Sequence, residues 1–221
     1  MCHHFSLVAD EALLLKQFYA ATHPGHQSFP FGSFYPLSRI PVIRLNDQGV
    51  RELVPMEWGL LPPWWKPSGR KTARSGFQRG CFNARSVEIH AKRSYKSPFA
   101  RRRCLLIGTE FMEGDRYFFL PDKPLLAFAG IWELWRSDEE QVLSCSMLTT
   151  AANAEVLAAG NDRMPLVLET DEARAQWLDQ EIVERGPLDS LMIPAADGTF
   201  QSRPKKSQQS SGKQTEQKSL F

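Results

Sequence analysis

The chain of 221 residues has no apolar run approaching the roughly 20 residues that a membrane-spanning helix needs. That excludes an ordinary helical membrane protein. Its opening residues, MCHHFSLVADEALLLKQ, lack a basic stretch followed by an apolar core, so no secretory leader is expected. Cysteine is scarce: only Cys2, Cys81, Cys104 and Cys145, widely spaced and without a Cys-x-x-Cys pair. With no leader, the expected setting is a reducing cytoplasm in which these thiols stay free. Cys104 and Cys145 sit in apolar runs and read as small buried hydrophobes, and Cys81 reads so less clearly. No internal repeat is present, which excludes a solenoid or array.

Net charge is also slight, +2, yet its distribution is lopsided. Lys66 to Arg103 holds twelve Lys or Arg and one acid, Glu88, a local charge of +11 against −9 for the rest of the chain. Such asymmetry points to a positive face for a polyanion, against the plainer reading of a solvated basic loop.

Hydrophobic residues make up 42% of the chain, a globular composition. The length suits one domain with a sizeable core. That domain is expected over residues 1–198, followed by a polar, low-complexity tail, 199–221, expected to be disordered. Glu11–Ala20 reads as a short helix. Ile40–Leu45 and Val50–Trp58 read as strands joined by an Asn-Asp-Gln-Gly turn. Cys104–Phe111 and Val142–Thr150 read as buried strands. Tyr117–Leu120 and Leu125–Trp132 look like a hairpin over Pro121–Pro124. Ala151–Ala159 and Thr170–Val183 read as helices, with Thr170 and Asp171 as the N-cap region of the latter. Strands outnumber helices and connections are short. The expectation is therefore an α+β domain rich in antiparallel strands with a few peripheral helices.

Cys2 is the first candidate for chemistry. Removal of Met1 would leave a free amine and a thiol on adjacent carbons, with ordinary pKa values near ~8 and ~8.5. Such an aminothiol attacks an aldehyde twice, through the amine to an imine and through the thiol to a five-membered thiazolidine. The same terminus, Cys2-His3-His4, could instead wrap Cu(II) or Ni(II) in a square plane of nitrogens. Trp64 and Trp65, beside prolines and ahead of the basic segment, could stack bases or wedge a strand apart, or one could be core. Asn83 offers a donor and an acceptor, and Arg85 a guanidinium fork for a phosphate. Glu113 follows an apolar strand and could transfer protons. Asp162 and Arg163 could form an ordinary turn pair.

Taken together, these pieces resemble the SOS response-associated peptidase family of abasic-site processing proteins. The likeness rests on Met1-Cys2, WGLLPPWW at 58–65, FNARSVE at 82–88, RRCLLIGTEFMEG at 102–114, FAGIWELW at 128–135, LTTAAN at 148–153 and DRMPLVL at 162–168. The resemblance implies a compact mixed domain rich in β-structure. It also implies a covalent thiazolidine between Cys2 and abasic sites in single-stranded DNA, which shields the lesion from strand cleavage. Cys2 would be the nucleophile; Asn83 would orient the amine or the sugar; Glu113 would shuttle protons. Arg85 would grip phosphate, with Arg163 and His4 also on the DNA side. Trp64 and Trp65 would separate the strands or stack beside the lesion. The same Cys is expected to release Met1 autocatalytically, a thiol-dependent peptidase activity.

The departures from the family pattern are specific. Its usual Met-Cys-Gly-Arg start is here Met-Cys-His3-His4, and an Asn-x-x-Pro element is Ser33-Phe34-Tyr35-Pro36. The aromatic after the strand-end Glu is Gly114. The His expected before Asp162-Arg163-Met164-Pro165 is Asn161, which cannot exchange a proton near neutral pH. That His is implied to assist sugar ring opening and crosslink reversal, so a slow and rarely reversed crosslink is expected. No cofactor or resident metal is required. The expected partner is single-stranded DNA carrying abasic sites, bound by a monomer in a bacterial cytoplasm. Two other readings stand beside this one: a non-covalent single-stranded DNA binder, and a thiol peptidase acting in trans.

Overall fold

The computed structural model describes residues 2–24, 29–68, 73–183 and 185–205. The first half of the chain supplies β1 (Phe5–Leu7), α1 (Glu11–Phe18), β2 (Ala21–Thr22), β3 (Gly32–Phe34), β4 (Arg39–Leu45), β5 (Arg51–Trp58), α2 (Arg74–Gln78), β6 (Asn83–Arg85) and α3 (Arg93–Arg101). The second supplies β7 (Arg103–Gly108), β8 (Glu110–Glu113), β9 (Arg116–Phe119), β10 (Leu126–Arg136), β11 (Gln141–Ala151), α4 (Ala154–Ala158), β12 (Arg163–Pro165), α5 (Asp171–Leu178), α6 (Arg185–Asp189) and β13 (Gln201–Pro204). This is the α+β, mostly antiparallel single domain expected. None of the described helices is long and apolar enough to cross a membrane.

The core is a closed barrel. β5, β4, β7 and β10 run to β11 through antiparallel pairs, and β11 returns to β5 through a parallel seam, Ser144↔Glu57 and Cys145↔Trp58. Closure leaves these strands no free edge toward one another. It also brings side chains very close. A Cβ on Gly130 of β10 would lie 2.2 Å from Leu106 Cδ1 on β7, so any larger residue there would displace the Leu106 side chain. A second sheet, in the order β13-β9-β8-β1-β3, packs on the barrel. Phe5 of β1 reaches the barrel, its ring 5.1 Å from that of Trp58 and 5.5 Å from that of Phe128.

Local signals account for the helix ends. Asp10 caps α1 by accepting from Leu13 N–H at 2.7 Å, and Thr170 caps α5 by accepting from Ala173 N–H at 3.1 Å. Behind α5 lies Arg103, 1% exposed. Its guanidinium donates to the carbonyls of Phe99, Ala100, Trp177, Asp179 and Ile182, tying the ends of α3 and α5 together. Burial draws its pKa down to about 10.

The helix expected over Thr170–Val183 ends earlier, at Leu178, and four further boundaries differ from expectation for a tertiary reason. Cys104–Phe111 is two strands, because the chain changes sheets at Thr109 between β7 and β8. Tyr117–Leu120 and Leu125–Trp132 are not a hairpin: β9 pairs with β8 and β13, whereas β10 belongs to the barrel. The expected helix at Ala151 begins only at Ala154, because Ala151 continues β11 opposite Arg163. The domain also passes residue 198, since Gln201–Pro204 pairs along β9 as β13. The rest of the expected tail, 206–221, lies outside the described residues.

Candidate active site

β1 lies between β3 and β8. Its register with β8, Phe5↔Phe111 and Ser6↔Glu110, aims the residues ahead of β1 at the end of β8. Cys2 is therefore drawn into the molecule, with no exposed surface, rather than left at a frayed end. Its Sγ–H donates to the His4 carbonyl at 3.4 Å. Burial, with Glu113 adding to it, pushes the thiol pKa well up. While Met1 is attached, the Cys2 nitrogen is a peptide amide; the aminothiol exists once Met1 is gone.

Two side chains converge on Cys2. Asn83, the first residue of β6, donates from Nδ2 to the Cys2 carbonyl at 2.6 Å. β6 is held there by parallel pairing with β11, Asn83 beside Met147, and the Tyr95 hydroxyl of α3 donates to the Asn83 carbonyl at 3.1 Å. Glu113, 1% exposed, closes β8 and acts electrostatically on the Cys2 thiol. Burial lifts its pKa to about 7; the positive amino terminus opposes that shift and Asp162 adds to it. A carboxyl group near neutrality can both give and take a proton at working pH.

Asn161 completes the group. With its carboxamide oriented so that both ends find partners, it donates to Glu113 Oε2 at 3.3 Å and accepts from the Gly114 N–H at 2.7 Å. Two residues on, Arg163 of β12 reaches across β11 and donates to the carbonyl and hydroxyl of Thr149. Arg85 pairs in register with the same Thr149 from the other side. Burial and then the like charge of Arg85 hold the Arg163 pKa below its usual value. Two guanidinium groups thus flank one strand beside Asn83, an arrangement suited to a phosphate.

A family model described as SOS response associated peptidase (SRAP) matches residues 1–208. The chain belongs to the SRAP family. It is similar to Abasic site processing protein YoqW of Bacillus subtilis, 29% identical over 209 residues that cover 88% of this chain and 87% of that protein. It is likewise similar to Abasic site processing protein HMCES of Pongo abelii, 29% identical over 200 residues that cover 74% of this chain and 55% of that one. A crystal structure of a Bacteroides thetaiotaomicron protein superposes with a TM-score of 0.78 at 23% identity, covering 92% of this chain and 91% of that chain. One from Bordetella bronchiseptica superposes at 0.73 and 23%, covering 93% and 100%. At that identity the two structures speak to the fold alone.

In this SRAP domain the remaining expected site residues divide by burial. Trp64 is 39% exposed, with the Arg93 guanidinium 4.4 Å over its ring and Phe77 edge-on at 5.7 Å. Trp65 faces inward instead: it is 7% exposed and packs on Trp135, whose Nε1–H donates to its carbonyl. Of the pair, only Trp64 offers substantial surface to a base. His4 is also drawn in, 2% exposed and stacked on Tyr35 at 4.5 Å. Burial lowers its pKa, so its neutral ring supplies no fixed charge to DNA. Among the described residues no three His, Cys, Asp or Glu side chains are grouped to hold a metal ion. Tyr95 and Arg93 went unread in the sequence, and Gly114 was read only as a departure from the family pattern. Each acts through a neighbour that only the fold supplies.

Proposed function

We propose that this protein processes abasic sites in DNA by bonding covalently to them through Cys2, in single-stranded DNA and as a DNA-damage response. The observation that carries this reading is the convergence on Cys2 of the Asn83 amide and of Glu113, a buried carboxyl poised near neutrality. The names of the relatives, abasic site processing proteins, agree with it.

Once Met1 is removed, the Cys2 amine attacks the C1′ aldehyde of the ring-opened sugar. Loss of one water gives the imine. The Cys2 sulfur then adds to the imine carbon, and its proton passes to the nitrogen, closing the thiazolidine. Glu113 gives a proton to the departing hydroxyl and relays protons between sulfur and nitrogen. Asn83 holds the Cys2 carbonyl and so aims its amine. Arg85 holds a phosphate, with the charge of Arg163 beside it, Trp64 stacks on a base, and the basic segment supplies salt-dependent affinity. Release of Met1 by the same thiol would make the activity self-generating. No cofactor enters this scheme.

The test is a labelled single-stranded oligonucleotide with one abasic site, incubated with protein and run on a denaturing gel. A shifted band that requires the lesion and vanishes with Cys2→Ala is expected. Its absence from protein that mass spectrometry shows to lack Met1 would defeat the covalent reading. One observation favours non-covalent binding instead: the Cys2 thiol is fully buried. In that case Cys2→Ala would bind DNA as the parent does.

A further inference from the structure

We propose that Gly114 is a positioning residue for Glu113, acting through Asn161. The absence of a side chain at 114 lets the loop between α4 and β12 close on the end of β8 and fix the Asn161 carboxamide against the Glu113 carboxyl. The inference rests on the reading of Glu113 as the proton-transfer group.

β8 ends at Glu113 and the chain turns into β9 through Gly114 and Asp115. Gly114 has φ +60°, a conformation that L side chains rarely adopt. Conformation alone would explain a glycine at a turn, but the surroundings demand more. A Cβ at 114 would lie 2.5 Å from the Ala159 carbonyl oxygen, and that atom is backbone. The two segments therefore touch main chain to main chain. At this closeness the Gly114 N–H reaches the Asn161 side-chain oxygen at 2.7 Å. With its oxygen engaged, the carboxamide turns its NH₂ to Glu113 Oε2, 3.3 Å away. If the loop stood off, the amide could rotate and set its oxygen against the carboxylate.

A donor on a carboxylate favours the charged form. The groups that bear on Glu113 include the Cys2 thiol ahead of β1, the positive amino terminus and Asp162 beside Asn161, and Arg116 of β9 is its neighbour in the sheet. Arg116 is in register with Glu113, but its guanidinium is engaged by Ser202 of β13. Burial and Asp162 favour the neutral acid, and the amino terminus favours the carboxylate. Asn161 adds a neutral donor to this balance, and Gly114 sets which of its ends faces Glu113.

The neighbouring Gly160 provides the control. It too lies in the left-handed region, at φ +87°, but a Cβ there would meet nothing within 4 Å. Backbone strain without the loop contact is therefore what Gly160→Ala tests. The experiment follows the Glu113 carboxyl by carbon NMR titration in the full chain and in Gly114→Ala, Gly160→Ala, Asn161→Ala and the Gly114→Ala/Asn161→Ala double variant. Gly114→Ala and Asn161→Ala are each expected to raise the Glu113 pKa by roughly half a unit or more. The double variant should match the singles, because both break one contact. Gly160→Ala should leave the titration unchanged. An unshifted Gly114→Ala, a shift as large in Gly160→Ala, or additive shifts in the double variant would overturn the proposal. If Gly114→Ala does not fold, Asn161→Ala decides, and an unmoved Glu113 there overturns it. The titration uses no DNA, so it answers even if no crosslink forms. Where crosslinking occurs, the acidic limb of its pH–rate profile should move with the titration, lowering the rate about threefold at a pH below the parent pKa.

Discussion

The side-chain amide of Asn83 donates to the main-chain carbonyl of Cys2 at 2.6 Å, so β6, a strand of the barrel sheet, holds the second residue of the chain in place. A residue near a chain end would ordinarily sample many orientations. Here its carbonyl is fixed by a side chain that is itself seated on β11 and held by Tyr95. Asn83→Ala should leave binding of a non-reactive abasic analogue nearly intact while slowing single-turnover crosslinking by roughly 10–100-fold. Asn83→Asp should be slow as well, because a carboxylate cannot donate to the carbonyl. Crosslinking by Asn83→Ala at the parent rate would remove Asn83 from the reaction.

Arg85 and Arg163 differ in how free they are. Arg163 is committed to Thr149, whereas the Arg85 side chain is about half exposed, with Glu88 at 3.4 Å as an ion-pair partner. Exposed pairs of that kind contribute little, so Arg85 can exchange Glu88 for a phosphate. Arg85→Ala should weaken binding to abasic and intact single strands alike, and reduce the slope of log K against log salt by about 1. Fluorescence anisotropy across a salt series measures both. An unchanged slope would mean that Arg85 meets no phosphate.

Legibility of this protein followed the range of the interactions. Strands β4, β5 and β11 and the cap at Thr170 are written in neighbouring residues, and the sequence reading located them. Strand partnership is not local. Nothing within Tyr117–Trp132 says that its two strands join different sheets, and nothing in Gln201–Pro204 says that β9 has a free edge for it to cover. The site divides in the same way. Cys2, Asn83 and Glu113 stand out by residue type and family spacing. The inward turn of Trp65 depends on Trp135, far along the chain, and the burial of His4 depends on Tyr35 and Tyr117.

Asn161 stands where the family resemblance leads one to expect His. Its carboxamide bonds to Glu113 and Gly114 but cannot carry a proton. Crosslink formation should therefore be slow, and reversal slower. Asn161→His should speed both steps, reversal by about tenfold or more, as a group titrating near neutrality becomes available for acid–base exchange. Formation is read from the time course on a denaturing gel. Reversal is read by chasing preformed crosslink with excess unlabelled abasic DNA. If both rates stay at parent values, the loss of the imidazole has no kinetic meaning here.

Glu113 also leaves a mark on stability. Its carboxyl is buried at 1% exposure and its pKa rises from 4.5 to about 7 in the folded chain. Between those values the native state binds more protons than the unfolded state, so stability falls as pH rises. The contribution of the neutral acid is fully present below the unfolded pKa and is lost as pH passes through the folded one. Above about 7 the protein carries a buried carboxylate that burial disfavours, at a cost on the order of 3 kcal/mol. Glu113→Gln keeps the shape and stays neutral at every pH. Urea unfolding at about pH 5 and about pH 8.5 should show it close to the parent at the lower pH and more stable at the higher one. The same variant should crosslink poorly at both, because an amide cannot take up or release the proton. Greater stability with less activity is the combination expected of a carboxyl kept in place for chemistry. A Glu113→Gln protein less stable than the parent at the higher pH would instead make Glu113 a structural group whose charge is compensated on folding.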